Sequence, residues 1–312
     1  MDREDPAAEL TNVCLVVEAD GAGQRADRYL SARSGLPSRS QLQQRLAGLK
    51  INGRAVKPSA RLEQGDRIEA ALRPPPPRGV LPEPMELDVL YEDVGVVVLH
   101  KPCGMVVHPG SGNRGGTLVN GLLHRYPDLA GQFPDSCRPG IVHRLDKDTS
   151  GVIIVARNGA AQAWLARQFA ARRVGKTYFA WVAGRPTPAA GRIATRLRRD
   201  PHNPLRVRVS QDRGKAAVTG YQVRRSLAGA SLVALRPVTG RTHQLRVHLR
   251  WLGHPILGDS LYAGRARGSA PRLLLHARRL SIRLPGDREP RTFTAPWPPD
   301  FAPPGAPPDA GP

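Results

Sequence analysis

The segment GIVHRLDKDTSG, residues 140–151, places one carboxylate, Asp146, on a polar turn that lies between two apolar runs. The run that follows, VIIVA (152–156), indicates a buried strand because almost all of its residues are β-branched. Arg144 and Lys147 flank Asp146, and nearby positive charge favours an ionised carboxylate. Such a group is suited to act as a nucleophile or a base, although the same residues also fit a surface turn with solvated charges.

Three further blocks accompany this turn in a fixed order. YEDVGVVVLHKPCGMVVHPGSGNRGGTLVNGLL (91–123), with its Lys-Pro pair, precedes it, and GKTYFAWVAG (175–184) and RPVTGRTHQLRVHLRWLGHPILGD (236–259) follow it. Together with the HRLD turn, these blocks resemble the Rlu family of pseudouridine synthases. The resemblance implies that uridine in RNA is converted to pseudouridine, and that the fold is α+β with a large, mostly antiparallel mixed sheet. Strand-like runs mixed with one clear helix (159–173) favour the same fold class.

The resemblance also implies roles for four residues. Asp146 would be the catalytic carboxylate, either by attack on the ribose or by proton abstraction to give a glycal. Arg144 would fill the gap that the flipped base leaves in the RNA stack, which suits a planar guanidinium. Tyr178 would lie against the flipped uracil, and Arg246 would pair with Asp146. Without the family pattern, Tyr178 also fits a core aromatic residue, and Arg246 fits a solvated one.

The composition agrees with an RNA partner. The chain has 47 Lys and Arg against 26 Asp and Glu, which gives a net charge of +21 and a pI near 11.2. A general bias towards Arg, Ala, Gly and Pro would give the same charge, and charge alone also allows an anionic membrane surface. No apolar stretch approaches the roughly 18 residues of a membrane span, and the acidic N-terminus does not resemble a signal peptide. We therefore expect a cytoplasmic protein that does not bind membranes. The three scattered cysteines agree with a reducing compartment.

The residues before the proline run RPPPPRG (73–79) can form a small domain of their own. We predict helices over 25–35 and 38–50, a hairpin at the Asn-Gly turn of KINGRAV (50–56), and a strand in GDRIEAAL (65–72). This α/β segment resembles a small RNA-binding module shared with a small-subunit ribosomal protein, although a front domain with solvated charges also fits. The cations predicted to form its phosphate-contacting face are Arg28, Arg39, Arg45, Lys50 and Arg54.

The composition divides the chain into five segments. We predict a leader at residues 1–12, the RNA-binding module at 13–72, a proline-rich linker at 73–82, the catalytic domain at 83–296 and a proline-rich tail at 297–312. The tail has too little apolar content to pack, so we expect it to be disordered and dispensable for the chemistry.

No cofactor site is predicted. The histidines His243, His248 and His254 lack HExxH spacing, and no pair of cysteines completes a zinc site, so we expect no metal. The glycine-rich stretch 110–116 lacks the Gly-Lys-Ser/Thr ending of a phosphate loop. We therefore expect no small-molecule cofactor. We also expect a monomer.

The substrate follows from the branch of the family that the chain resembles. The front module and the HPGSGN loop (108–113) most resemble the RluD-like ribosomal branch, which implies large-subunit ribosomal RNA, or the assembling large subunit, as substrate. The stretch 195–221 departs from the family because the usual arginine-methionine-alanine centre is replaced. The alternatives are the same reaction on tRNA and an RNA-binding assembly factor without activity. The intact set of Asp146, Tyr178 and Arg246 speaks against the inactive factor.

Overall fold

The structure of the protein is a computed structural model that describes residues 10–33, 36, 39–73, 80–110, 113–134, 136–264, 270–303 and 305. Most of the predicted leader, the proline run of the predicted linker and the end of the predicted tail lie outside these residues. Gly35 and Ser38, at the ends of the two predicted front helices, also lie outside them. The chain divides into two compact units, Met1–Arg78 and Gly79–Pro312. Each unit has a hydrophobic core of its own.

The first unit is a small α/β domain. Its elements in chain order are β1 (Thr11–Val16), α1 (Ala26–Ala32), α2 (Arg39–Arg45), β2 (Leu46–Ile51), β3 (Arg54–Ala55) and β4 (Arg67–Leu72). The described strands form an antiparallel sheet in the order β1-β4-β2-β3. Tyr29 and Leu30 of α1 pack with Leu42 of α2 and Ile68 of β4. This cluster is the core that holds the two helices on the sheet.

The prediction of a helix over residues 38–50 is wrong for its second half, because residues 46–50 belong to β2. Gly48 would cost about 1 kcal/mol relative to alanine in the interior of a helix. Asn52 and Gly53, with φ of 51° and 78°, form the two-residue turn that pairs β2 with β3. Because β2 pairs with β3 through this hairpin, residues 46–50 form a strand instead of continuing the helix.

Strand β1 begins at Thr11, inside the segment predicted as a leader, 1–12. Thr11 pairs with Leu72, the last residue of β4. Only one side of β1 faces the core, through Val13 and Leu15. The residues that alternate with them, Asn12, Cys14 and Val16, are exposed. The folded part of the first unit therefore starts earlier than the predicted boundary.

The second unit is built on one large sheet. Its elements are β5 (Asp88–Glu92), β6 (Val96–Lys101), α3 (Leu118–Arg125), α4 (Asp128–Gln132), β7 (Ser150–Ala156), α5 (Gly159–Ala170), β8 (Gly175–Ala183), β9 (Ala190–Arg199), β10 (Val207–Ser210), β11 (Lys215–Leu227), β12 (Ala230–Pro237), α6 (Gln244–Trp251), β13 (Leu275–Ile282) and β14 (Arg291–Thr294). The described strands run in the order β10-β9-β11-β12-β8-β13-β7-β6-β5, with β14 on β13. Strands β7 and β13 are parallel, and the other described pairs are antiparallel. The predicted α+β fold with a mostly antiparallel mixed sheet is confirmed. No helix in the described part of the chain is long and apolar enough to cross a membrane.

The centre of this sheet is buried on both faces, which explains the unbroken apolar runs in the sequence. Every residue of β7 is buried, and so is Val96–Leu99 of β6. Leu118 and Leu122 of α3 cover one face, and Leu165 of α5 covers the other. Two cores therefore hold β7 in place, and the Asp146 turn precedes this strand directly.

Two aromatic residues at the start of the predicted disordered tail, Trp297 and Phe301, pack in the core of the second unit. The rings of Trp297 and Phe301 stack with centroids 5.5 Å apart. Phe301 is 1% exposed, and its carbonyl oxygen accepts a hydrogen bond of 3.2 Å from Nε1 of Trp181. These two aromatic rings supply enough apolar surface to pack, although the high proline content of the segment suggested disorder. The described start of the predicted tail therefore differs from the disorder that we expected.

Candidate active site

The turn that carries Asp146 is held by a buried lysine of β6. Lys101 is fully buried, and its Nζ donates to the carbonyl oxygens of Pro102, Met105 and Lys147 at 2.6, 2.9 and 2.9 Å. Burial lowers the pKa of Lys101 to about 8, while neighbouring acidic groups oppose the shift. The bond to Lys147 connects the residue after Asp146 to the C-terminal end of β6.

Alternate residues of the turn are anchored in the protein. Leu145 is buried, and the ring of His143 stacks on Phe169 of α5 with centroids 4.6 Å apart. Nε2 of His143 accepts a hydrogen bond of 3.0 Å from a backbone N–H of β7, and burial lowers the pKa of His143 to about 3. The ring is therefore neutral. Arg144 and Asp146, the residues that alternate with these anchors, line one pocket.

Arg246 of α6 links Asp146 to a second carboxylate. Its Nε and Nη2 donate to the two oxygens of Asp259 at 2.7 Å each, and Nη1 lies 3.5 Å from Oδ2 of Asp146. The side chains of Arg246 and Asp259 are 5% and 0% exposed, whereas Asp146 is 21% exposed. Burial opposes the charge of Arg246, but the bonds to Asp259 raise its pKa above the ordinary value. The structure thus brings Arg246 to Asp146 and holds it there through Asp259.

Tyr178 of β8 lines the same pocket as Asp146 and Arg246. Burial raises the pKa of Tyr178 well above its ordinary value, and the charge of Asp146 adds to the rise. The phenol therefore stays neutral and presents an uncharged ring to the pocket. Arg144 also lines the pocket, and its side chain is exposed.

The pocket itself is small. Its volume is about 140 Å³. A larger cavity of about 840 Å³ lies beside β5, β6 and α3, but the residues around it include none of Asp146, Tyr178 and Arg246.

The cations predicted to contact phosphate lie in the first unit, on α1, α2, β2 and β3: Arg28, Arg39, Arg45, Lys50 and Arg54. Two of them have protein partners. Arg39 forms an ion pair of 3.1 Å with the buried Asp27, and Nε of Arg45 donates to a backbone carbonyl oxygen at 2.9 Å. The other three side chains are exposed, which leaves their charges accessible to an anion.

The three histidines that the sequence suggested as weak metal candidates have other partners. His248 lies between the hydroxyls of two threonines at 2.9 and 3.0 Å, and His254 contacts a backbone carbonyl oxygen at 2.8 Å. Nδ1 of His243 lies 2.8 Å from the hydroxyl of Tyr262. Among the residues that the structure describes, no group of three or more His, Cys, Asp or Glu side chains is placed to hold a metal ion.

The sequence profile of a known family covers most of the residues that line this pocket. The profile of RNA pseudouridylate synthases matches residues 95–251, which include Asp146, Tyr178 and Arg246. The chain belongs to this family. It is therefore a pseudouridine synthase, an isomerase that acts on RNA, and the resemblance seen in the sequence is confirmed.

This pseudouridine synthase is similar to bacterial proteins over most of its length. It is 40% identical to a ribosomal large subunit pseudouridine synthase D of Neisseria meningitidis serogroup A, over 95% of this chain and 82% of that protein. It is 38% identical to an uncharacterized RNA pseudouridine synthase, YlyB, of Bacillus subtilis, over 94% of this chain and 97% of that protein. The solved structure of human RNA pseudouridylate synthase domain containing 1 matches with a TM-score of 0.57 and 31% identity, over 70% of this chain and 89% of that one.

Two residues that contact the site of the synthase were not predicted as part of it: His243 lines the pocket, and Asp259 binds Arg246. Asp259 is the last residue of the block 236–259, and His243 is one of the histidines of that block that lack the spacing of a metal site. A signal for Asp259 does exist in the sequence, because it is the one acidic residue between Arg213 and Asp287. A buried arginine needs a carboxylate partner, and this stretch offers a single choice. His243 carries no comparable signal.

Proposed function

We propose that this synthase isomerises uridines in large-subunit ribosomal RNA and that Asp146 is its catalytic carboxylate. The observation that carries the proposal is the approach of Arg246 to Asp146 at 3.5 Å, inside a pocket lined by Tyr178. Relatives from Neisseria, Xylella and Borreliella at 40–44% identity bear the name ribosomal large subunit pseudouridine synthase D, which supports the choice of RNA.

The reaction needs few groups. The bond between ribose C1′ and uracil N1 breaks, the base turns, and a bond between C1′ and C5 forms. C5 loses its proton and N1 gains one, so atoms and electrons balance without an external reactant. A carboxylate serves either by attack on C1′ as the base departs or by removal of a proton from C2′. In both routes Arg246 places a positive charge beside this carboxylate, with Nη1 at 3.5 Å from Oδ2.

The other residues hold the substrate. The target base must leave the RNA stack, which costs a few kcal/mol of unstacking. Arg144, exposed beside the pocket, takes the vacated place in the stack through its planar guanidinium. Tyr178 offers its neutral ring to the flipped uracil, and stacking on an aromatic side chain contributes about 1–3 kcal/mol per base.

The first unit supplies further contacts with the RNA backbone. Its exposed cations Arg28, Lys50 and Arg54 lie on α1, β2 and β3. Contacts with phosphate position a nucleic acid without reading its bases, so this unit contributes affinity rather than choice of uridine.

The test is release of tritium from RNA that carries ³H at C5 of its uridines, because C5 loses that hydrogen when the new bond forms. Large-subunit ribosomal RNA and tRNA are compared as substrates. Asp146→Asn keeps the size of the side chain and removes its charge. Asp128→Asn, at an exposed carboxylate 3.8 Å from Arg157, is the matched control.

We expect release from ribosomal RNA with the wild-type and Asp128→Asn proteins, and none with Asp146→Asn. Release from tRNA alone would keep the chemistry and overturn the proposed substrate. Turnover by Asp146→Asn close to that of wild type would remove Asp146 from the mechanism.

A further inference from the structure

His243 connects Asp146 to a buried tyrosine. It precedes α6 in the left-handed region, with φ of 52°, and its side chain is 17% exposed. Nδ1 of the ring lies 2.8 Å from the hydroxyl of Tyr262, and Nε2 lies 3.9 Å from Oδ2 of Asp146. The two ring nitrogens of His243 therefore face different partners, one a phenol and the other the proposed catalytic carboxylate.

The surroundings of Tyr262 decide which nitrogen of His243 carries the proton. Tyr262 is 4% exposed, and its hydroxyl oxygen accepts a hydrogen bond of 2.8 Å from the backbone N–H of Val207 in β10. The hydroxyl proton then has one acceptor among the described residues, Nδ1 of His243. If Nδ1 were protonated instead, the phenol would receive two donors and its own proton would have no acceptor in the described part of the site. Nε2 of His243 therefore carries the N–H.

Burial and the surrounding charges leave the imidazole of His243 and the phenol of Tyr262 neutral. Burial lowers the pKa of His243 and outweighs the attraction of Asp146. The other charged groups that act on this ring are Arg246, Asp259 and Arg144, of which only Asp259 favours protonation. Burial also raises the pKa of Tyr262. A neutral imidazole and a neutral phenol form the hydrogen bond just described, in which Tyr262 donates.

The two oxygens of Asp146 are in different situations. Oδ2 faces two donors, with Nη1 of Arg246 at 3.5 Å and Nε2 of His243 at 3.9 Å. Oδ1 has no hydrogen-bond partner among the described residues. The described donors near this carboxylate thus lie beside one oxygen, and Asp146 itself lines the pocket.

We propose that His243, held by Tyr262 with its proton on Nε2, is a positioning residue that binds Oδ2 of Asp146 together with Arg246 and so presents Oδ1 to the nucleoside. The inference deepens the proposed function and rests on the role of Asp146 given there. A distance of 3.9 Å is longer than a hydrogen bond, and catalytic hydrogen bonds often shorten only when the substrate is bound. A shift of about 1 Å in the Asp146 turn or the His243 ring completes the contact.

The first test measures the tautomer and does not depend on activity. Long-range ¹H–¹⁵N correlation spectra of the full-length protein with ¹⁵N-labelled histidine distinguish a protonated from an unprotonated ring nitrogen. The signals of His243 are assigned from their loss in His243→Gln. We expect an unprotonated Nδ1 and a protonated Nε2. A ring protonated on Nδ1 in the wild-type protein would overturn the inference, whatever the substrate of the enzyme.

The second test uses variants in the tritium-release assay. Tyr262→Phe keeps the aromatic ring and removes the donor that fixes the tautomer, so a mixture of His243 tautomers and a lower kcat are expected. His243→Leu and His243→Gln place equal demands on the left-handed backbone, but only glutamine can donate a hydrogen bond. We expect His243→Leu to lower kcat about tenfold to a hundredfold with KM for RNA unchanged, and His243→Gln to recover part of the loss.

The matched control is Tyr221→Phe, which removes a hydroxyl that donates to the carbonyl oxygen of Pro188 at 3.1 Å, and it should retain wild-type kcat. Equal kcat values for His243→Leu and the wild-type protein would remove His243 from the mechanism. If His243→Leu does not fold, Tyr262→Phe and the wild-type tautomer decide the question. If the wild-type protein releases no tritium from any RNA, the proposed function fails, while the tautomer measurement still tests the hydrogen-bond arrangement.

Discussion

Arg246 and Asp259 form a bidentate ion pair, with two hydrogen bonds of 2.7 Å, and both side chains are almost completely buried. Only the third nitrogen of Arg246 is directed to Asp146, at 3.5 Å. The arginine at the pocket is therefore oriented by a partner that does not itself line the pocket. The approach of Arg246 to Asp146 therefore depends on the second carboxylate, Asp259.

Asp259→Asn should lower both stability and turnover. Removal of one partner from a buried ion pair typically costs about 3–5 kcal/mol, because the remaining charge is left unpaired. Turnover should fall as well, because Arg246 loses the group that aims it at Asp146. The measurements are the free energy of unfolding in denaturant and tritium release. The control is Asp287→Asn, whose exposed partner Arg291 also lies at 2.7 Å, and it should cost at most about 1 kcal/mol. Equal losses in the two variants would contradict this account.

Gly151→Ala should destabilise the second unit where the Asp146 turn enters β7. Gly151 has φ of 126°, which side chains rarely adopt, and an added Cβ would lie 2.3 Å from the carbonyl oxygen of Ala277 on β13. Backbone strain of this kind costs about 1–3 kcal/mol, and the contact with rigid backbone adds to it. Gly229→Ala, where φ is 76° and the space is open, is the control. Denaturation midpoints should fall clearly further for Gly151→Ala, and the reverse order would refute the steric argument.

Acid should destabilise the second unit in part through His248. This side chain is fully buried, and burial lowers its pKa to about 4 from an ordinary value of 6.5. Between pH 6.5 and 4 the unfolded chain therefore binds a proton at this position that the folded chain does not bind. Stability falls as the pH falls through this window, by at most about 1.4 kcal/mol per pH unit.

His248→Gln removes this proton uptake, so its free energy of unfolding should depend less steeply on pH between 6.5 and 4 than that of the wild-type protein. The exposed His202→Gln provides the control. Denaturant unfolding at several pH values gives the slopes directly. A slope for His248→Gln as steep as the wild-type slope would show that His248 does not contribute.

The first unit should account for part of the salt dependence of RNA binding. Each contact between a cation and phosphate contributes about 0.7–0.9 to the slope of log K against log salt concentration. We expect Arg28→Gln, Lys50→Gln and Arg54→Gln each to reduce the slope by about this amount, with little change in kcat. Arg67→Gln is the control in the same unit, because Arg67 already pairs with Glu69 at 3.4 Å. Unchanged slopes in all three variants would show that these cations do not touch RNA.

The parts of the fold that were predictable from the sequence are those buried on both faces. Strand β7 is an unbroken apolar run because neither face meets water, and such a pattern has few alternatives. Helix α6 was not predicted from its sequence. Two of its buried positions carry the polar residues Arg246 and His248, which interrupt the apolar pattern that indicates a buried helix face. Strand β2 differs from the predicted helix because most of its pairing is with the distant strand β4, and because α2 ends at Arg45, the residue directly before it.

The candidate site also contains residues that could be predicted from the sequence and residues that could not. The matched blocks singled out Asp146, Tyr178 and Arg246, and the structure brings all three to one pocket. Asp259 and His243 were not singled out, because their importance depends on three-dimensional contacts with Arg246, Tyr262 and Asp146. Local sequence records neither the depth of a side chain nor the proton on a ring nitrogen.

Lys101 holds the Asp146 turn through backbone carbonyl oxygens alone. Every amino acid offers the same carbonyl oxygen, so the exposed side chain of Lys147 plays no part in these bonds. The shape of the turn therefore allows many side chains at position 147 but requires the lysine at position 101. Position 147 is also a place to attach a fluorescent or cross-linking group, one residue from the carboxylate that we propose as catalytic.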